Sequence, residues 1–236
     1  LEGAGAVFAE NQALRWIADL AGLPKTSGGV FAQGGTVGNL SALVVAREFE
    51  RIANKNVVEW VIACNRNAHS SIKAAAMVMD ALVLQVEPGP DGVMRGEDLD
   101  SAIAEYERAN PTHKIFAVVA TAGSTNLGII DDLDGCGRVA NRRDIWFHVD
   151  GAYGLAALCA PSARPMFNGI ERADSLIVDP HKWLFAPFDA CALIYKDPKI
   201  AKESLAQHAS YLDTLHENDD WNPSDYAIHL TRRTRG

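Results

Sequence analysis

Apolar and polar residues along the chain follow two periods, one typical of helices and one typical of strands. Apolar side chains recur at helical spacing in five segments, and short apolar runs of the buried-strand kind form six others. The predicted helices are residues 7–21, 36–53, 69–81, 97–108 and 132–142, and the predicted strands are 57–64, 82–87, 115–121, 145–149, 175–178 and 190–195. Strands that alternate with helices of ten or more residues favour right-handed crossovers. We therefore predict an α/β fold with a mostly parallel sheet and helices on both faces.

Neither an internal repeat nor a linker rich in Pro, Gly or Ser divides this pattern. We expect residues 1–236 to form one large domain. The chain starts at Leu1 rather than at Met and stops at Gly236 without a terminal helix pattern. From these ends we expect a piece of a longer polypeptide.

Composition excludes several classes of protein. Apolar residues make up 48% and charged residues 22%, which is a globular profile rather than a disordered one. A formal net charge of −8 argues against a nucleic-acid partner. Because the chain has neither an apolar run of about 18 residues nor a signal-peptide pattern, we expect no membrane partner. The four cysteines form no CxxC pair, so we predict no metal site or disulfide framework but reduced thiols in a cytoplasmic protein.

Polar residues follow the ends of four predicted strands, in clusters that can carry chemistry. In open α/β sheets the functional site lies at the carboxyl ends of the strands. The clusters are residues 69–71, 120–125, 150–153 and 179–182. We expect them to converge on one edge of the sheet.

A fifth cluster, Gly34-Gly35-Thr36, opens the second predicted helix. Free backbone N–H groups and the helix dipole favour an anion there, and glycine allows it to approach closely. The sequence matches neither GxGxxG nor GxxxxGK[ST], so nucleotide motifs are not satisfied. Taken alone, such a cluster is more often a turn with a helix N-cap than a phosphate site.

Asp150 and Lys182 each allow a structural and a chemical interpretation. Asp150 ends an apolar strand, where an acid can cap the following turn or serve as a buried carboxylate held ionised by a cation. Lys182 stands before Trp183, Leu184 and Phe185, where it can snorkel or act as a desolvated amine suited to Schiff-base chemistry. Together with the possible anion cradle, these residues are the set needed to hold pyridoxal phosphate.

The motifs HVDGAYG (148–154) and DPHKWL (179–184) resemble those of the group II pyridoxal-phosphate-dependent amino-acid decarboxylases, which have fold type I. The resemblance is closest to the aromatic-L-amino-acid and tyrosine decarboxylase branch and covers essentially the whole chain. It implies that Lys182 is the Schiff-base lysine and that Asp150 pairs with the pyridine nitrogen. His69 resembles the imidazole stacked on the cofactor ring, and Ala152 the small residue on the opposite face.

The resemblance also places further residues around the cofactor. Gly35 and Thr36 match phosphate-binding positions with His181 beside them, and Thr125 matches the residue near the 3-hydroxyl group. Tyr211 matches a mobile-loop tyrosine that protonates the decarboxylated carbon. We expect structural roles for the remaining histidines, His113, His148, His208, His216 and His229.

The reaction implied by the resemblance is decarboxylation of an L-amino acid of the aromatic class to the amine and carbon dioxide. Alternatives within the enzymes are an aldehyde synthase or a decarboxylase of glutamate, histidine or diaminobutyrate. A non-catalytic homologue acting through protein contacts is the alternative of another class. The family forms homodimers, and its N-terminal helical segment and small C-terminal domain are expected to lie outside this chain.

The sequence departs from the family pattern at two positions. Asp179 stands where animal aromatic decarboxylases carry Asn, so a contact from this residue to the cofactor phosphate is not expected, because an anion beside an anion is unfavourable. Gly151 replaces a common Ala, a difference expected to be harmless.

Overall fold

The computed structural model describes residues 3–205, 223–229 and 231, which form an α/β fold. Six α-helices occur in the described residues, α1 (Ala4–Leu20), α2 (Gly35–Ala53), α3 (Ser70–Val78), α4 (Gly96–Ala109), α5 (Leu133–Arg142) and α6 (Pro198–Leu205). The strands are β1 (Gly28–Ala32), β2 (Glu59–Asn65), β3 (Leu82–Val86), β4 (His113–Thr121), β5 (Trp146–Asp150), β6 (Ser175–Val178) and β7 (Cys191–Tyr195). In these residues no helix combines the length and hydropathy needed to cross a membrane.

The seven strands form one sheet in the order β1-β7-β6-β5-β4-β2-β3. The neighbours from β6 to β3 pair in parallel, whereas β7 is antiparallel to both β1 and β6. The predicted α/β class with a mostly parallel sheet is therefore confirmed. All five predicted helices and all six predicted strands are present, with boundaries that differ by a few residues.

Two apolar clusters cover the two faces of the sheet. Helices α1, α4 and α5 pack on one face, where Val118 of β4 is buried, and helices α2 and α3 pack on the other, where the adjacent Val119 is buried. Alternate residues of a buried strand point to opposite faces, so both faces of β4 must be apolar. This explains the continuous apolar run of the strand.

Strand β1 and helix α6 were not predicted from the sequence. Two glycines begin β1, and glycine is depleted in strands. The structure shows why Gly29 is needed: an added Cβ would lie 1.9 Å from the carbonyl oxygen of Leu193 on β7. Glycine thus makes β1 hard to predict from the sequence, but at position 29 it allows the backbones of β1 and β7 to approach closely.

Candidate active site

A cavity of about 280 Å³ opens at the carboxyl ends of β4, β5 and β6, beside the first turns of α2 and α3. It is lined by all eight residues expected to hold a cofactor: Gly35, Thr36, His69, Thr125, Asp150, Ala152, His181 and Lys182. The four strand-end clusters thus meet at one edge of the sheet. Tyr211, the remaining predicted site residue, lies outside the described residues.

The first turn of α2 forms one side of the cavity. Gly34 precedes the helix with φ +109°, which favours glycine, and no side chain caps the helix. Thr36 lies inside the first turn, so it is not the N-cap residue. Gly35 packs closely against the opposite wall, because an added Cβ would lie 3.2 Å from Asp179 Oδ2 and 3.5 Å from Ala152 Cβ. The uncapped helix end leaves backbone donors for an anion.

Asp150 lies at the end of β5, buried at the bottom of the cavity. Its Oδ2 accepts a hydrogen bond from Asn39 Nδ2 at 2.9 Å, and its Oδ1 accepts one from the Ala152 N–H at 3.2 Å. Among the described residues no Lys or Arg forms an ion pair with it. Both recorded partners are neutral, so the negative charge of an ionised Asp150 remains available to a cation in the cavity.

His148, two residues earlier on β5, is fully buried. Burial lowers its pKa to about 4, although the charge of Asp150 acts in the opposite direction. The imidazole is therefore neutral at physiological pH and does not balance the carboxylate. It bonds to Asn39 and to Ser175, as expected for a histidine with a structural role.

Lys182 follows β6 in a short turn, with its N–H bonded to the Asp179 carbonyl oxygen. Its Nζ lies 2.8 Å from Asp179 Oδ2, and its side chain is 41% exposed while that of Asp179 is buried. The amine is therefore neither fully desolvated nor simply snorkelling, because it forms an ion pair at the cavity wall. Asp179, which differs from the family pattern, thus forms a direct ion pair with Lys182.

His181 and His69 lie on opposite sides of the cavity entrance. His181 Nδ1 accepts from the Ala190 N–H at 2.9 Å, and its ring meets the edge of Phe188. His69 is the N-cap of α3, and its Nδ1 accepts from the Ser71 N–H at 3.2 Å. Both rings are thus oriented by backbone donors.

Two polar atoms of the cavity wall have no hydrogen-bond partner in the described structure. These atoms, Thr121 Oγ1 and Asp179 Oδ1, are both buried. Buried polar groups are normally satisfied, so atoms of this kind at a cavity indicate a place for a polar ligand. Thr125, in the loop after β4, is exposed at the same wall.

Sequence analysis missed one contributor to the site, Asn39, and assigned no role to two others, Ser71 and Tyr153, that lie within the predicted clusters. Asn39 comes four residues after Gly35 and four before Leu43, on the face of α2 that contacts the sheet, and a polar residue on a buried face was the available signal. Tyr153 stacks on Trp183, with ring centroids 5.4 Å apart and planes at 10°. This contact joins two loops that are distant in sequence.

Comparison with known proteins gives a consistent set of relatives. The chain is 31% identical over its whole length to an aromatic-L-amino-acid decarboxylase of Bacillus atrophaeus, of which it covers 49%. It is 30% identical over 96% of its length to a 4-hydroxyphenylacetaldehyde synthase of Rhodiola rosea, of which it covers 48%. The solved structure of Oryza sativa TDC with PLP and tryptamine superposes with a TM-score of 0.87 at 26% identity, over 98% of this chain and 50% of that one.

The chain therefore spans about half the length of the curated relatives it matches. Residues 6–236 match the family described as the pyridoxal-dependent decarboxylase conserved domain. This match covers nearly the whole chain and agrees with the motifs HVDGAYG and DPHKWL. The chain belongs to the pyridoxal-dependent decarboxylase family.

Proposed function

We propose that the protein containing this chain is a pyridoxal-phosphate-dependent decarboxylase of an aromatic L-amino acid, releasing carbon dioxide and the amine. The observation that carries the proposal is the cavity itself. It brings an amine, Lys182, and a carboxylate without a cationic partner, Asp150, to the same strand-end edge as the uncapped first turn of α2.

The residues of the cavity fit pyridoxal 5'-phosphate, the cofactor of this family. The uncapped turn at Gly35 and Thr36 offers backbone donors to a phosphate, and Thr121 Oγ1 is a buried hydroxyl still lacking a partner. The carboxylate of Asp150 matches a protonated ring nitrogen. When bound, the cofactor supplies an aldehyde that reacts with an amine and a ring that accepts the electrons released from the substrate.

Each side chain then has a definite task. Lys182 would bind the aldehyde after leaving its ion pair with Asp179, and by binding it again would release the amine product. Asp150 keeps the ring nitrogen protonated, which strengthens the ring as an electron acceptor. His69 and Ala152 border the cofactor ring on its two faces, and His181 lies beside the phosphate.

Two further residues complete the proposal. Thr125 contacts the 3-hydroxyl group of the cofactor from the loop after β4. Tyr211, by its resemblance to the family's tyrosine, would donate the proton that completes the amine. A tyrosine here favours amine over aldehyde, although one relative is an aldehyde synthase.

An aromatic substrate is supported by Tyr153, which lines the cavity and stacks on Trp183. Aromatic rings pack well against such a pair. The relative named an aromatic-L-amino-acid decarboxylase supports the same class. Decarboxylation of glutamate, histidine or diaminobutyrate and a non-catalytic role through protein contacts are the alternatives that the test below separates.

We also infer that the protein is a cytoplasmic homodimer in which this chain is the large cofactor-binding domain. Phe188, which lines the cavity, and the nearby Phe185 are 70% and 86% exposed, and apolar rings so exposed favour cover by another subunit. The free thiols of Cys64, Cys136 and Cys191 are buried and unpaired, which supports a reducing compartment.

The test is a product assay on the full-length protein loaded with pyridoxal phosphate. It is supplied in turn with the aromatic L-amino acids, glutamate, histidine, diaminobutyrate and aspartate, while carbon dioxide, amine, aldehyde and hydrogen peroxide are measured. Amine and carbon dioxide in equal amounts from an aromatic substrate support the proposal. Aldehyde with peroxide, turnover of a non-aromatic substrate alone, or a colourless protein that turns over nothing would each overturn it.

A further inference from the structure

Asn39 lies in the second turn of α2, 1% exposed, at the bottom of the cavity. A buried amide carries two donors and an acceptor that all need partners. Its Nδ2 donates to Asp150 Oδ2 and to Ser71 Oγ, each at 2.9 Å, and its Oδ1 lies 2.9 Å from His148 Nε2. All three polar functions of the side chain are thus used, and they connect α2 to two other elements, α3 and β5.

The direction of every bond in this group follows from the carboxylate. Asp150 only accepts, so the nitrogen of Asn39 must face it and the oxygen must face His148. His148 therefore carries its proton on Nε2, and its Nδ1 accepts from Ser175 Oγ at 2.8 Å. Ser175 Oγ in turn accepts from Trp146 Nε1 at 2.8 Å.

The second branch runs from Asn39 to the mouth of the cavity. Ser71 Oγ accepts from Asn39 and can then donate to His69 Nδ1, 2.8 Å away. The Ser71 N–H donates to the same ring nitrogen. His69 is thereby held with Nδ1 unprotonated, so a neutral ring carries its proton on Nε2.

We propose that Asn39 is the positioning residue of this site: a single amide fixes both the Asp150 carboxylate and, through Ser71, the His69 imidazole. The inference deepens the proposed function, since these are the two groups assigned to the ring nitrogen and to one ring face. Because His148 is neutral, the groups that position Asp150 carry no net charge, and the negative charge of the carboxylate stays available to a ligand.

The first readout needs neither cofactor nor activity. In the wild-type protein, nitrogen-15 NMR of the imidazoles should show His148 and His69 as Nε2–H tautomers. Asn39→Ala should shift both toward a mixture, because His148 loses its acceptor and Ser71 loses its donor. Asn54→Ala is the matched control: Asn54 caps the same helix and donates to the Glu50 carboxylate at 2.9 Å, away from the cavity.

The two branches can be separated. Ser71→Ala removes the hydroxyl donor to His69 Nδ1 and keeps the backbone N–H donor, so the Nε2–H population of His69 should fall in part while that of His148 stays unchanged. Asn39→Asp keeps an acceptor for His148 but has no donor for Asp150, so the His148 tautomer should persist while cofactor binding weakens. If Asn39→Ala does not fold, Ser71→Ala decides, because an unchanged His69 tautomer in that variant overturns the link from Asn39 to His69.

The second readout is the dissociation constant for pyridoxal phosphate. Asn39→Ala and Asn39→Asp each remove one hydrogen bond to a charged group, so we expect the dissociation constant for pyridoxal phosphate to rise on the order of tenfold to a hundredfold. With substrate, kcat should fall while KM changes little. The inference is overturned if Asn39→Ala has the same His148 and His69 tautomers and the same affinity for pyridoxal phosphate as Asn54→Ala. This comparison can be made even if the protein decarboxylates none of the amino acids tried.

Discussion

Gly151 separates the two site residues Asp150 and Ala152, and the surroundings of this glycine leave no room for the alanine that is common at this position in the family. An added Cβ would lie 2.0 Å from Leu155 Cγ, 2.2 Å from its Cδ1 and 2.8 Å from its Cβ. Carbon atoms in contact are normally about 3.5–4.0 Å apart. Leu155 is buried in the core cluster that also contains α4 and α5, so it has little room to move.

We therefore predict that Gly151→Ala destabilises the protein. Overpacking of a core costs about 1–3 kcal/mol, whereas removing a glycine from the unfolded chain returns about 0.4–1 kcal/mol. The clash involves Leu155 Cγ and Cβ as well as the terminal methyl, so the cost should lie in the upper part of that range. A net loss of about 1–2 kcal/mol is expected.

The assay is a double-mutant cycle by urea unfolding, followed by fluorescence. Leu155→Ala alone should cost about 2–5 kcal/mol. The double variant should be about 1–3 kcal/mol more stable than the sum, because the two closest atoms, Cγ and Cδ1, are gone and only the Cβ contact at 2.8 Å remains. Gly5→Ala on α1 is the control: nothing lies within 4 Å of its added Cβ, so it should stabilise slightly. Additive effects of Gly151→Ala and Leu155→Ala, or a stable Gly151→Ala, would refute the reasoning.

Four further outcomes are expected. Lys182→Ala should abolish the borohydride-reducible linkage to pyridoxal phosphate, as read by peptide mass mapping; a linkage retained at another lysine contradicts the assignment. Asp150→Asn should lower kcat by orders of magnitude and weaken cofactor binding less, so unchanged turnover would leave Asp150 as a cap only. Tyr211→Phe should shift product from amine to aldehyde and peroxide, and an unchanged ratio removes Tyr211 from the mechanism. Burial lowers the pKa of His148 to about 4, so between pH 6.5 and 4 the unfolded chain binds a proton that the folded chain does not. Up to about 3 kcal/mol of the free energy of unfolding is therefore lost as pH falls through this window. This loss should be smaller in His148→Gln.

The sequence predicted which residues lie together at the cavity, because these residues follow the ends of the strands. Asp150 and the turn carrying Lys182 come directly after apolar runs, and parallel strands bring such positions to one edge. The helix start at Gly35 could be read in the same way. Position along the chain and strand direction were sufficient to bring these residues together.

What could not be predicted depends on distances between elements. The ion pair of Lys182 with Asp179 requires the tight turn after β6. The clash between an added Cβ at position 151 and Leu155 depends on where the Leu155 side chain lies. Asn39 is a polar residue among the buried, mostly apolar positions of α2, and its three partners come from α3 and β5. The period of apolar residues indicates which face of a helix is buried, but it does not indicate which residues of other elements contact that face.

The two buried carboxylates of the cavity differ in what balances their charge, and this difference bears on how a ligand is oriented. Asp179 has the ammonium group of Lys182 at 2.8 Å, whereas the hydrogen bonds to Asp150 in the described structure come from neutral donors. A cationic group entering the cavity therefore gains more beside Asp150 than beside Asp179. An anionic group gains most at the uncapped turn of α2. A molecule with a basic ring nitrogen and a phosphate is thus oriented by charge, its nitrogen toward β5 and its phosphate toward α2.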